Sequence, residues 1–263
     1  MVIALTGIVL VVVAHFIVQP IQAYLSVSAR ARLVDSADGA LIRMVRDLHL
    51  ALPNSVRVSA DGRSLELIPT AGAARYATAG SNALAFGSPV TSFDLVGPPL
   101  TLAAQQQLVF YNLGSGITGS DAYAPNGSAS EQASSNRRQS TNAAGPASTI
   151  GLASLAGLPV VDLAPPYRVT AVGEPVSYRC DLSAGTLTRY TGYGFLAVQP
   201  DPPSGGSSAV LADGVSACRF SADALAIAAR AGLITLQISL STLTSGGNEN
   251  VTLSQAVHVN NLP

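Results

Sequence analysis

The chain contains no lysine and no tryptophan, and only 11% of its residues are charged, against about a quarter in an average soluble domain. The formal net charge is −1. That balance gives a nucleic-acid partner no electrostatic footing. So little charge leaves a surface of Ser, Thr, Gly, Ala and Asn, which suits a subunit packed among copies of itself or its relatives. A genomic bias toward small residues yields the same composition.

Catalytic and metal-binding signals are missing as well. The histidines are His15, His49 and His258, and none forms a ligand or base pattern with another residue. No Gly-x-Ser-x-Gly elbow, paired-carboxylate spacing or phosphate loop occurs. Gly205-Gly206 and Gly246-Gly247 read as turns. The sequence is therefore read as non-enzymatic, with no cofactor, no metal and no catalytic residue. Cysteine is confined to Cys180 and Cys218. Each sits in a strand-like context, Val176 to Cys180 and Ala217 to Phe220. In an exported domain two cysteines most simply pair, and the closed loop would stabilise the fold by about 4 kcal/mol on the chain-entropy account. Two buried free thiols are the alternative.

What the sequence does have begins at Met1. Met1 to Val18 carries no charge and is almost wholly apolar, and as a helix it would extend about 27 Å, close to the hydrocarbon core of a bilayer. Its β-branched run suits a strand in water, but in lipid the backbone must satisfy its own hydrogen bonds, which selects a helix. A cleaved signal peptide would need a basic start and a small-residue cleavage site, and neither is present. Pro20 removes one backbone donor and marks a kink. Beyond it Val34, Leu41, Val45, Leu48 and Leu52 form an apolar stripe at helical spacing. Arg32 with Asp35 and Arg43 with Asp47 read as a solvated face. Pro53-Asn54 ends the rod.

The remainder, 54–263, reads as a β-rich head. Asp61-Gly62 between Val56-Arg57-Val58 and Leu65-Glu66-Leu67 signals a tight type I′ hairpin. Further strand-like runs cover Ser92 to Val96, Gln107 to Asn112, Tyr167 to Ala171, Val176 to Cys180 and Thr186 to Thr191. A polar stretch at about 114–156 lacks apolar periodicity before Ile150 and reads as a mobile surface insertion or a partner-binding loop. Ala222 to Ala231 reads as a short helix. At the C-terminus Ile234, Leu236, Ile238 and Leu240 alternate with polar residues, as do Val251, Leu253, Val257 and Val259, the mark of a half-buried antiparallel hairpin.

Met1-Val2-Ile3-Ala4-Leu5-Thr6-Gly7-Ile8-Val9-Leu10 resembles the start of type IV pilins and type II secretion pseudopilins, just beyond the family's glutamate. Ala31 to Asp38, Ala40 to Asp47, Ala51 to Val58, Gly232 to Leu236 and Val257 to Pro263 are similar to minor pilins of the mannose-sensitive haemagglutinin pilus. The resemblance spans both ends and Cys180 to Cys218, not the polar stretch. It implies an α+β fold in which a long N-terminal helix, 1–53, spans a membrane and packs on an antiparallel β-sheet head. Its filament-facing residues would be Val2, Leu5, Val9, Val12 and Phe16. It implies a structural subunit that primes or tips a pilus, with a secretion pseudopilin or a tip adhesin as alternatives. The partners would be other pilins and, before assembly, the bacterial inner membrane. The head would lie in the periplasm and later at the cell surface. Arg30 and Arg32 follow the apolar segment and no charge precedes it, which by the positive-inside rule points the other way. The reading therefore expects a basic leader, a processing site and the glutamate before Met1.

Overall fold

Helix α1 runs from Val2 to His49 and continues through Pro20. The computed structural model describes residues 2–160, 167–222, 231–245 and 247–260, except for the side chains of 8, 9, 11, 12, 14, 15, 17, 18, 231 and 260. No described side chain before Leu33 is buried; from there Leu33, Ala37, Ala40, Leu41, Met44 and Leu48 enter the largest apolar core. These positions recur every three or four residues, so one face of the helix is buried. Small residues at 37 and 40 let the backbone approach closely. Val34, expected in the stripe, faces out instead at 37% exposure.

The strands are β1 Arg57–Val58, β2 Ser64–Leu67, β3 Thr70–Tyr76, β4 Ser92–Val96, β5 Leu100–Leu102, β6 Gln107–Phe110, β7 Arg137–Ser140, β8 Gly145–Ala147, β9 Thr149–Ala153, β10 Arg168–Val172, β11 Val176–Asp181, β12 Thr186–Thr191, β13 Ser207–Asp213, β14 Val215–Ala222, β15 Ala231–Thr244 and β16 Gly247–Asn260. They form a five-stranded sheet ordered β1-β2-β11-β12-β13, a three-stranded sheet ordered β14-β15-β16, the pair β5-β8 and a closed six-stranded barrel ordered β10-β3-β4-β9-β7-β6.

Strands hold 41% of the residues and helices 19%, so the class is mainly β. The expected α+β class, one sheet head on a membrane-crossing helix, is corrected accordingly. Nothing in the sequence pattern signals the barrel. Closure removes sheet edges, and the interior is filled by Leu108, Phe110, Phe93, Ile150, Val169 and Ala171. Tyr76 stands among Phe86, Phe93, Phe110 and Tyr167 with ring centroids 6.1 to 6.4 Å away, and burial pushes its phenol up to about 12.

The single-span reading is corrected too. Among the described residues no helix is long and apolar enough to cross a membrane. A span needs about 20 continuous apolar residues, and the described side chains of α1 are interrupted by Thr6, Gly7, Gln19 and Gln22. The single-pass inner-membrane placement with a periplasmic head falls with it.

The stretch 114–156 is also not a mobile surface loop. It supplies β7 and β9 to the barrel and a capped turn of helix, α2 Ala129–Gln132, in which Ser128 accepts from the Glu131 backbone and the Glu131 carboxylate accepts from the Ser128 backbone. The first hairpin pairs Arg57 with Glu66. Its turn is wider than type I′: Ser59 pairs with Ser64, and only Gly62 takes a positive φ, 71°. The C-terminal hairpin pairs Ile238 with Leu253 and buries Ile234, Leu236, Ile238 and Leu240 as its alternation implies. The short helix expected at Ala222 to Ala231 lies mostly outside the described residues.

Candidate assembly surface

Helix α1 divides into a bare half and an anchored half. In the bare half, the apolar side chains of Val2, Ile3, Leu5, Leu10, Val13 and Phe16 are exposed, as are Ile21, Leu25 and Val27. Phe16 is 79% exposed, Val2 78% and Leu5 59%. The Val9 and Val12 side chains, also expected on this surface, lie outside the described residues, as does that of His15. Pro20 is exposed within the continuous helix. Contiguous apolar patches of this kind mark interaction sites, because water penalises them at about 25 cal/mol per Å².

The anchored half is held by more than apolar contact. Asp47, read from the sequence as solvated, is 8% exposed. Its carboxylate accepts from the Tyr178 hydroxyl at 2.6 Å and from Arg189 Nε at 2.9 Å, while Arg43 lies one turn earlier on the helix at 3.6 Å. Burial raises the Tyr178 phenol far above its usual range, and the carboxylate beside it adds to the shift. The cluster fixes the helix to β11 and β12. The expected Arg32–Asp35 pair is not among the ion pairs of the described residues.

A second polar cluster, invisible in sequence, ties the first hairpin to the rest. Glu66 is fully buried. It accepts from Arg57 Nε and from the Tyr193 hydroxyl, the latter at 2.8 Å, and Ser177 lies 2.7 Å from Tyr193. Burial raises the Glu66 carboxyl above its ordinary 4.5, against the opposing pull of Arg57. Arg57 also donates to the carbonyls of Ala197 and Leu196 and stacks on Tyr123 at 3.7 Å. A strand pattern predicts that Glu66 points to water; instead all four residues of β2 are buried.

Arg138 is the largest fully buried side chain. It meets no carboxylate among the described residues. Instead it donates to the carbonyls of Ser135, Arg137, Gln132, Ala156 and Gly157. Burial lowers its pKa to about 10.

Beside the first hairpin a cavity of about 840 Å³ is walled by Val56, Val58, Leu113, Ile117, Phe220 and Leu233, with Arg57, Asp61, Arg63 and Arg219 as its charged side chains. Asp61 is committed to its own turn, accepting from the Ser59 hydroxyl and the Arg63 backbone, which lowers its pKa. No nucleophile and base stand paired there. His49 and His258 are apart from it and exposed. No group of three or more His, Cys, Asp or Glu among the described residues is placed to hold a metal ion. Cys180 and Cys218 are joined in a disulfide between β11 and β14, as two cysteines in strand contexts suggested.

Compared with known protein families, with curated proteins and with solved structures, the chain matches none.

Proposed function

We propose that the chain is a structural subunit of a filament, a minor pilin or pseudopilin that joins related subunits through the bare half of α1. One observation carries the reading: a helix firmly anchored from Leu33 onward extends a run of exposed apolar side chains that the described head leaves uncovered. Such a surface gains about 25 cal/mol for every Å² covered. Similar helices from neighbouring subunits would cover it with matching apolar groups and no buried charge. The resemblance of the first ten residues and of the Ala31 to Val58 tract to type IV pilins supports the same conclusion. The head then acts as a spacer and contact surface rather than as a site of chemistry.

The test is complementation of a deletion strain, scoring filaments by electron microscopy at matched protein levels. Phe16→Asp places a carboxylate in the helix bundle with no described cation near it on α1 before Arg30. It is expected to abolish assembly, whereas His258→Ala leaves filaments intact. Filaments as abundant with Phe16→Asp as with the wild-type chain would refute the proposal.

A further inference from the structure

The cavity beside the first hairpin, about 840 Å³ in volume, has no part in filament assembly. Its size lies within the range of about 300–1,000 Å³ usual for small-molecule sites. The walls come from the turn between β1 and β2, the loop after β6 and the adjoining ends of β14 and β15. They are held in place by specific bonds. Phe220 N–H donates to the Gly62 carbonyl at 2.7 Å, and the disulfide from Cys180 fixes Cys218. Asn54 Nδ2 donates to the Asn112 carbonyl and Asn112 Nδ2 to that of Pro53, which ties the loop after β6 to the segment before β1. The lining is apolar yet unused by the rest of the fold. Leu113, Ile117 and Leu233 enter none of the apolar clusters of the described residues, and Ile117 is 44% exposed.

The charge around the cavity is one-sided. Asp61 is committed to its own turn, and Arg57 is taken up by Glu66, Tyr123 and two carbonyls. Arg63 and Arg219 are exposed, and their side chains make no ion pair or hydrogen bond among the described residues. Arg63 follows Gly62 and Arg219 precedes Phe220, so both stems leave the chain beside one backbone hydrogen bond. The Arg219 stem passes over the Gly62 turn, where an added Cβ would meet its Cγ at 3.7 Å.

We propose that this cavity binds a long-chain fatty acid, its carboxylate held by Arg63 and Arg219 and its alkyl chain lying along Val58, Leu113, Ile117 and Leu233. A planar carboxylate matches the guanidinium fork and takes paired hydrogen bonds from it. An aliphatic chain removes from water the apolar walls that no core covers. A sugar or nucleotide would instead leave many of its polar groups facing apolar side chains, at a cost in desolvation. The site does not depend on the apolar half of α1.

The experiment is photolabelling of the full-length protein with hexadecanoic acid that carries a diazirine in its chain, followed by mass mapping of the labelled peptides. Label is expected within 113–117 and 232–234, displaced by unlabelled hexadecanoic acid and about tenfold less readily by hexadecanol, which lacks the charge. Arg63→Gln with Arg219→Gln should cut the displaceable label by about tenfold or more. Ile117→Asp, which sets a carboxylate in the apolar wall, should cut it as well. All three positions are exposed, and circular dichroism verifies that each variant is folded. Phe16→Asp leaves the cavity label unchanged. Label confined to α1, displacement by hexadecanol as ready as by the acid, or cavity label that survives the double glutamine or Ile117→Asp overturns the proposal.

Discussion

Removing the Asp47 carboxylate tests whether polar anchoring, and not only the apolar stripe, holds α1 to the sheets. In Asp47→Ala the Tyr178 hydroxyl, on a fully buried residue, loses its acceptor at 2.6 Å. An unsatisfied buried donor costs about 1–3 kcal/mol. Arg189, whose side chain is 20% exposed, can turn to water, so its lost pair adds about 1 kcal/mol or less. The loss of Arg43, 45% exposed and at 3.6 Å, adds little. The expected total is about 1–4 kcal/mol, and Asp47→Asn, which keeps an acceptor oxygen, should cost less. Tyr178→Phe removes the orphaned hydroxyl, so the double variant should be more stable than the sum of the two single losses implies, by about 1–2 kcal/mol. The chain has no tryptophan, so the natural readout is urea unfolding followed by circular dichroism at the helix band, to which α1 is the main contributor. An Asp47→Ala loss under about 0.5 kcal/mol, or strict additivity with Tyr178→Phe, would show that the helix is held by apolar contact alone.

Arg138→Met should destabilise the barrel by about 2–4 kcal/mol, because it strips the donors from five backbone carbonyls; earlier proteolysis at 114–156 is the check. Glu66 has a folded pKa raised above 4.5 by burial, so its contribution to stability is fully present below that unfolded value and is lost as pH rises through the folded one. The melting temperature of the wild-type chain relative to Glu66→Gln, whose side chain does not titrate, should therefore be highest below pH 4.5 and fall as pH rises; a difference that does not change with pH contradicts this. Replacing Cys180 and Cys218 together by serine should cost about 4 kcal/mol, the two being 38 residues apart in sequence, measured by chemical unfolding against the oxidised wild type.

Which parts of the fold are legible follows from how each is stabilised. The C-terminal hairpin reads closely because one face is buried and one is wet, so the strand period of two is written in Ile234, Leu236, Ile238 and Leu240. The anchored face of α1 reads almost as well, though the spacing assigns Val34 to the buried side and Leu33 takes it. Helical spacing alone does not distinguish adjacent columns when small residues such as Ala37 and Ala40 carry part of the contact. The barrel is unreadable for a different reason. Strand β7 is Arg137, Arg138, Gln139 and Ser140, with both arginines buried. Its cohesion comes from donors meeting backbone carbonyls. Such a strand has no hydrophobic period and looks like a loop.

The same asymmetry governs the candidate surface. Polar residues used internally leave no signature that separates them from polar residues on a wet face: in sequence, Asp47 and Glu66 are ordinary members of a helix and a strand, and only their distant partners distinguish them. Tyr178 and Arg189 lie more than a hundred residues from Asp47, and no spacing rule reaches that far. Apolar residues on the bare half of α1 are the opposite case. Their sequence signal is strong, but it names only the need for cover. Lipid, neighbouring helices and a core all answer that need, and the choice depends on continuity over about 20 residues. The described residues of α1 do not supply that continuity, yet Val2, Leu5 and Phe16 remain exposed. Cover by like helices requires no such continuous length, only apolar side chains that recur along one helix. The reading as an assembly surface therefore survives the loss of the membrane-spanning one, and a single carboxylate at Phe16 is the perturbation to which it is most sensitive.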